Sequence, residues 1–287
     1  MKRTGMYPQP HHDLGGTRVV SQAGGMLLSR TPQVTGLAAG LSRALSPWRK
    51  PLATHYPGKI VPDLAITLAL GGDCLADAGV LRGEPAVYGP VASDPTISRL
   101  ISQLAADAPN VLTAINTARA QARARVWKLA GAHTPAHRAS VAEPLTIDVD
   151  ATLVTAHSDK EQAKPTFKKG YGFHPLCVFA DHGPDGSGEP LAIILRPGNA
   201  GSNTAMDHIA ALRDAFKQLP NLPNTRPGKT VLVRVDGAGY SHQLLNWLTA
   251  QRVQYSAGWT LPAEAAAVIE QIPVNGWTPA YDAERNR

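Results

Sequence analysis

The chain has 287 residues, with 28 Lys and Arg against 22 Asp and Glu, a net charge of +6 and a pI near 9.4. A 43% apolar and 17% charged composition supplies enough apolar mass for two domains with sizeable cores, which excludes wholesale disorder. Two cysteines, Cys74 and Cys177, exclude a disulfide scaffold and suit a reducing cytosol; no apolar run approaches the roughly 18 residues of a membrane span, and the start MKRTGMYPQPHHD has no secretory apolar segment.

The basic residues concentrate at the start. Residues 1–60 hold Lys2, Arg3, Arg18, Arg30, Arg43, Arg49, Lys50 and Lys59 against the single acid Asp13, so the remainder is near neutral. Such an arm is either a solvated stretch or the footprint of a polyanionic partner. It is rich in Gly and Pro and reads as irregular, with a short apolar piece over 24–29 and a helix over 36–45. Residues 63–80 read as a helix with Asp63 as N-cap and a weak point at Gly71 and Gly72. Ser93, Asp94 and Pro95 open a further helix that places Ile97, Leu100, Ile101 and Leu104 on one face. Its exposed Thr96, Ser98, Arg99 and Ser102 suit either a groove-reading helix or a plain bundle helix. An Ala-rich helix over 111–130 carries Arg119, Arg123 and Arg125. The division that follows is a basic arm and helical, DNA-binding region over 1–131, then a polar linker over 132–144.

Strands dominate from there. LTIDVDATLV (145–154), YGFHPLCVFA (171–180) and PLAIILRPG (190–198) read as three strands. A helix over 203–219, a strand TVLVRVD (230–236), a helix over 241–251 and a strand VQYSAGW (253–259) follow. The fourth strand is apolar enough to be buried on both faces. Three strands, then a helix crossing to a strand, then a second helix and strand, is the order of a ribonuclease-H-like core. The fold class is therefore α/β: a mixed five-stranded sheet with helices over 145–287, preceded by a mostly helical N-terminal region. Trp247 and Trp259 read as core.

Asp150 in IDVDAT and Asp236 in VLVRVDGAGY lie where apolar strands end. A carboxylate on a buried strand beside glycine-rich backbone has rigid support and an open approach, and two of them can share divalent metal. Mg²⁺ takes oxygen ligands and is held by one or two carboxylates together with phosphate oxygens. The alternative for each is a plain turn or cap role. Around RPGNAGSN, Arg196, Asn199 and Asn203 suit either turn chemistry or phosphate contact at a helix start. Lys164, Lys168, Lys169 and Tyr171 form a basic hairpin tip, and His174 reads as a structural histidine.

The blocks LTIDVDATLVTAH, KKGYGFHPLCVFAD, LAIILRPGNAGSNTA and VLVRVDGAGYS, with SQAGGMLLSRT, LSPWRKPLATHYPGK, LALGGDCLAD and ASDPTISRL upstream, resemble the DDE transposases of bacterial insertion sequences called DDE group 1. The resemblance implies a ribonuclease-H-like catalytic domain and a Mg²⁺ or Mn²⁺ cofactor. It implies cleavage and strand transfer on double-stranded DNA, at insertion-sequence ends and target, by a homo-oligomer in the bacterial cytoplasm and nucleoid, with no membrane partner. By motif match Asp150 is the first catalytic and metal-binding carboxylate and Asp236 the second; Asp148, on the same strand face, stays open as the alternative first one. Candidate DNA contacts are Arg49, Lys50, Thr96, Ser98, Arg99, Lys168, Lys169, Arg196 and Asn199. The family's third carboxylate, a Glu on a helix with basic neighbours, has no match: Glu264 and Glu270 read as solvated helix residues, and the chain ends at Tyr281 to Arg287. The expectation is a C-terminally truncated copy or half of a split gene. Two competing readings stand beside it. One is a DNA-binding remnant without catalysis. The other is a phosphatase of the haloacid-dehalogenase type, using the D-x-D-x-T of 145–152 with Asp148 as nucleophile and Asp150 as acid-base; it requires a helix directly after residue 154.

Overall fold

The structure, a computed structural model, describes residues 7–9, 24–183, 186–201, 204–220, 227–237 and 239–278. Lys2, Arg3, Arg18, Asn203 and the segment 281–287, singled out above, lie outside the described residues.

The first half is helical: α1 (Gly25–Val34), α2 (Leu37–Ala44), α3 (Pro57–Ala69), α4 (Ala78–Arg82), α5 (Pro85–Tyr88), α6 (Asp94–Ala105) and α7 (Ala108–Ala130). The helix expected over 36–45 is α2, and the stretch around it that was expected to be irregular also contains α1 and the start of α3. Helix α2 lies between α3 and α7. Leu41 and Leu45 pack with Val111 and Ala118, and a methyl group on Gly58 would come within 2.4 Å of the Ser42 backbone. Small residues at such crossings let helix backbones approach closely. In α6, Ile97 and Leu100 are buried as expected, whereas Ile101 is exposed.

Helix α3 corrects the expectation for 63–80. It begins at Pro57, where a missing N–H costs nothing, and Asp63 sits in mid-helix rather than at the N-cap. Asp63 is buried, pairs with Lys59 one turn earlier and accepts a hydrogen bond from the Tyr7 hydroxyl at 2.9 Å. Burial pushes the Asp63 carboxyl up and the Lys59 ammonium down, and each partner opposes the other's shift. An Asp before an apolar run looks like a cap until the lysine four residues back is counted. Gly71, at φ 93°, and Gly72 end the helix instead of weakening it, with Gly71 and Gly72 N–H donating to the Leu68 and Thr67 carbonyls.

The second half is a mixed sheet. Its elements are β1 (Leu145–Ala151), β2 (Val154–Thr155), β3 (Lys164–Pro165), β4 (Tyr171–Phe173), β5 (Leu176–Ala180), β6 (Glu189–Ile194), α8 (Ala205–Gln218), β7 (Val231–Val235), α9 (His242–Ala250), β8 (Gln254–Ala257) and a short α10 (Ala265–Ile269). Strands order as β6-β5-β1-β7-β8, with β5 antiparallel to β1 and to β6, and β1, β7 and β8 mutually parallel. This is the ribonuclease-H-like arrangement. Ile147, Val149, Leu176, Val178, Leu191, Val231, Val233 and Val235 form one buried face with Ile209, Leu212 and Phe216 of α8 and Leu244 and Leu248 of α9. Burial of each large aliphatic side chain there contributes roughly 1.5–3 kcal/mol.

The stretch 171–180 is two strands, not one. Pro175 has no N–H to continue a ladder, so β4 pairs with β2 and β3 in a separate three-stranded sheet while β5 joins the main one. Trp247 is partly buried and stacks on Phe216 at 6.0 Å, but Trp259 is 63% exposed and is not core.

Helix α7 joins the two halves. Arg123 donates to Glu189 at 2.5 Å, to Gln218 at 2.6 Å and to the Pro190 carbonyl at 2.9 Å, and the Trp127 indole donates to Glu189 at 3.0 Å. Arg119 adds contacts to the Pro190 and Leu191 carbonyls. Residues of the 132–144 segment also touch the sheet domain: Ala136 and Ala139 pack on its core, and Gln254 donates to the Val141 carbonyl at 2.8 Å.

Burial works against the Glu189 charge, but Arg123, Trp127 and His182 outweigh it and hold the carboxyl below its ordinary value of 4.5. A carboxylate depressed on folding contributes stability at neutral pH that is lost as pH falls through its folded value. Glu189→Gln leaves the Arg123 cation without its counter-charge. It is expected to lower stability by about 2 kcal/mol in urea unfolding at pH 7 and to flatten the acid limb of the stability profile below pH 4.5.

Candidate active site

Parallel pairing of β1 with β7 runs from Leu145 opposite Val231 to Val149 opposite Val235. The next residue on each chain is an aspartate, so Asp150 and Asp236 emerge side by side at the carboxyl ends of neighbouring strands. Both are exposed. The Asp150 Oδ1 accepts the Ala151 N–H at 2.8 Å and the Asp236 Oδ1 accepts the Gly239 N–H at 2.9 Å. Each aspartate keeps its second oxygen without a hydrogen-bond partner among the described residues. An open cavity of about 580 Å³ is lined by Asp148, Val149, Asp150, Phe179, Gly188, Arg234, Val235 and Asp236.

The Asp236 turn is braced from beneath. A methyl group on Gly239 would meet His208 Nε2 at 3.1 Å and Val235 Cβ at 3.2 Å. His208 is buried on the first turn of α8 with Nδ1 3.0 Å from the Thr204 carbonyl. Burial pulls its pKa down, so the ring is neutral, and a neutral ring bonded in this way carries its proton on Nδ1. Cys177 lies opposite Asp150 on β5, and burial together with the Asp150 charge pushes its thiol up, away from the reactive thiolate form.

Asp148 is in the same cavity but is otherwise engaged. Arg234, opposite it in the β1–β7 register, donates Nε and Nη2 to its two oxygens at 2.5 and 2.8 Å, and Nη2 also reaches Asp181 at 3.2 Å. Arg234, His208 and Asp181 are absent from the candidates that the sequence suggests. A signal for the first existed: in DVD and RVD the charged residues stand two before each aspartate, so in-register parallel strands bring them together. His208 carried no such mark, since its role depends on where α8 packs. The element after β1 is the strand β2 followed by irregular chain, not the helix that the phosphatase reading requires.

The remaining candidates are spread over other surfaces. Arg49 and Lys50 follow a 3-10 turn in the helical half; Arg49 stacks over Tyr56 at 3.8 Å and donates to the Ala53 carbonyl. Thr96, Ser98 and Arg99 belong to the start of α6, where Thr96 Oγ1 lies 3.0 Å from Ser93 Oγ and accepts from Arg99. Lys168 and Lys169 occupy the turn between β3 and β4, and Asn199 is exposed in the loop before α8. Arg196 is buried instead: it donates to the carbonyls of His174 and Gly201 and pairs with Asp207 at 3.2 Å, bracing that loop from inside. His174 is buried, with Nδ1 3.1 Å from the Ala200 carbonyl, and Glu264 and Glu270 are exposed.

The two aspartates fit a hard divalent cation, since each offers a free carboxylate oxygen on rigid backbone at an open cavity. Asp73, Cys74 and Asp77 also place ligand atoms within 4.8 Å of one another. That group lies in the helical half, and the Asp77 Oδ2 accepts the Asp73 and Cys74 N–H groups in a capping box. Among the described residues no helix is long and apolar enough to cross a membrane.

A family model described as transposase DDE domain group 1 matches residues 3–287. No curated protein matches the chain.

Gly239→Ala tests the bracing of the Asp236 turn. The added methyl group forces His208 or Val235 to shift, with an expected loss of about 1–2 kcal/mol, read as a lower midpoint in thermal unfolding. An unchanged midpoint would show that the turn has room.

Proposed function

This chain belongs to the transposase DDE domain group 1 family, and from that premise we propose that it cleaves and joins the DNA ends of an insertion sequence at the carboxyl ends of β1 and β7. The observation that carries the reading is the adjacency of Asp150 and Asp236, each with one oxygen pinned by backbone and one free toward the cavity. In this reading Asp150 and Asp236 hold Mg²⁺ or Mn²⁺. Bound there, the cation supplies positive charge to the phosphodiester and to its attacking and leaving oxygens. Asp148 takes no part in holding it, because both its oxygens are spent on Arg234.

DNA reaches the site along surfaces that carry cations. The small sheet continues directly from the end of β1 and meets the loop before α8 through the bridge between Phe173 and Pro197. In this reading Lys168, Lys169 and Asn199 contact DNA from this side, while Arg49, Lys50, Thr96, Ser98 and Arg99 contact it from the helical half. Arg196 acts on DNA only through the loop it braces. Residues 1–131 form the DNA-binding region and 145–287 the catalytic one, joined through 132–144, with the chain working as a homo-oligomer on double-stranded DNA in the cytoplasm.

Mn²⁺ titration of the full chain tests the metal reading. Asp150→Asn and Asp236→Asn are each expected to weaken binding by about tenfold or more, and Asp148→Asn far less. Loss of binding in Asp148→Asn alone would reverse the assignment. DNA binding without any Mn²⁺ binding would leave a DNA-binding protein that does not cut.

The DNA surface is tested by salt. Replacing Lys168 and Lys169 by Ala is expected to reduce the slope of log affinity against log salt by about 0.9 for each phosphate that is no longer neutralised, and Arg49 with Lys50 likewise. A slope equal to that of the unaltered chain removes the pair from the interface.

A further inference from the structure

We propose that Arg234 determines which carboxylates of the cavity hold the cation, by withdrawing Asp148 and leaving Asp150 and Asp236 as the donors. The inference rests on the metal reading of the site. Three carboxylates line one cavity, and Asp148 and Asp150 point to the same face of β1, two residues apart. Carboxylates do not differ in their chemistry toward a hard cation, and cation affinity rises with the number of charged ligands. Without a further element the three would compete, and the cation would sit in more than one arrangement.

Arg234 is that element. Parallel register sets it opposite Asp148, where its planar fork takes both carboxylate oxygens at 2.5 and 2.8 Å. A two-point fork is specific to guanidinium. The contact from Nη2 to Asp181 at 3.2 Å holds the guanidinium from a second side. Among the described residues Asp150 and Asp236 receive only backbone N–H groups, which occupy one oxygen each. The Arg234 side chain is 55% exposed, and an exposed ion pair contributes little to stability. What the pair changes is the donor set beside it. Arg234 is a positioning residue here, acting through Asp148 rather than on the reacting atoms.

The test uses the 287-residue chain and Mn²⁺ alone, followed by calorimetry and by the paramagnetic signal of free Mn²⁺. Arg234→Met frees Asp148 and is expected to bind Mn²⁺ about tenfold more tightly than the unaltered chain. Adding Asp148→Asn to it is expected to return the affinity to that of the unaltered chain, which a merely structural role for Arg234 would not do. Arg234→Lys, with a single ammonium still facing Asp148, is expected to show a smaller gain. Thermal melts confirm folding, and if Arg234→Met does not fold, Arg234→Gln takes its place with the same expectation. Unchanged affinity on loss of the guanidinium, or a gain that persists in the double variant, overturns the proposal. Asp150→Asn and Asp236→Asn in the unaltered background are the separate control: their failure to weaken binding sinks the metal reading itself and not only the part given to Arg234.

Discussion

The in-register parallel pairing of β1 with β7 is the constraint on which the site depends. One residue of slip would turn Asp236 to the buried face or set Asp150 beside a valine. The register is held because Ile147, Val149, Val233 and Val235 must all face α8 and α9. The apolar side of the sheet thereby places the polar side: Asp148 opposite Arg234, then Asp150 beside Asp236. Antiparallel β5 closes the other flank of β1, setting Cys177 opposite Asp150 and Phe179 along the cavity.

The second constraint is the joint between the halves. A free helical bundle could sit anywhere relative to the sheet, but α7 is 23 residues long and serves both. Its Val111 and Ala118 pack with α2, while Arg119, Arg123 and Trp127 grip the start of β6 and the end of α8. The grip uses charge where a core would use methyl groups. Buried Arg123 is satisfied by three acceptors, and that completeness is what makes a buried cation tolerable. Any DNA held by the helical half is thereby held in a defined relation to the carboxylates.

Buried charge elsewhere is also paired, although the Asp63 Oδ2 and Arg196 Nη2 atoms have no hydrogen-bond partner among the described residues. Lys59 and Asp63 sit in the helical half with Tyr7 closing over them, and Arg196 spends its guanidinium on two carbonyls and Asp207. These groups look in sequence like surface charges. They organise loops and helices from within, whereas Lys168 and Lys169 between β3 and β4 are exposed.

Much was legible from the residues alone. Apolar and β-branched content marked the five strands, although the fourth, expected to be buried on both faces, buries Val231, Val233 and Val235 and exposes Arg234 on the other face. The order of those strands and helices was enough for the fold class, and aspartates at apolar strand ends marked Asp150 and Asp236 as candidates. Local chemistry also misled where it had two meanings: Asp63 resembles a cap until it is seen inside α3, and the tract through His174 and Pro175 resembles one strand until its halves join different sheets. Strand-face position could not separate Asp148 from Asp150, since both stand on one face of one strand with the same side chain, and only the motif match favoured Asp150. What only the tertiary structure shows is Arg234, 86 residues away along the chain, set against Asp148 and not against Asp150. A hydrogen bond between strands depends on register and distance in space, and neither is written in the order of residues along a single strand.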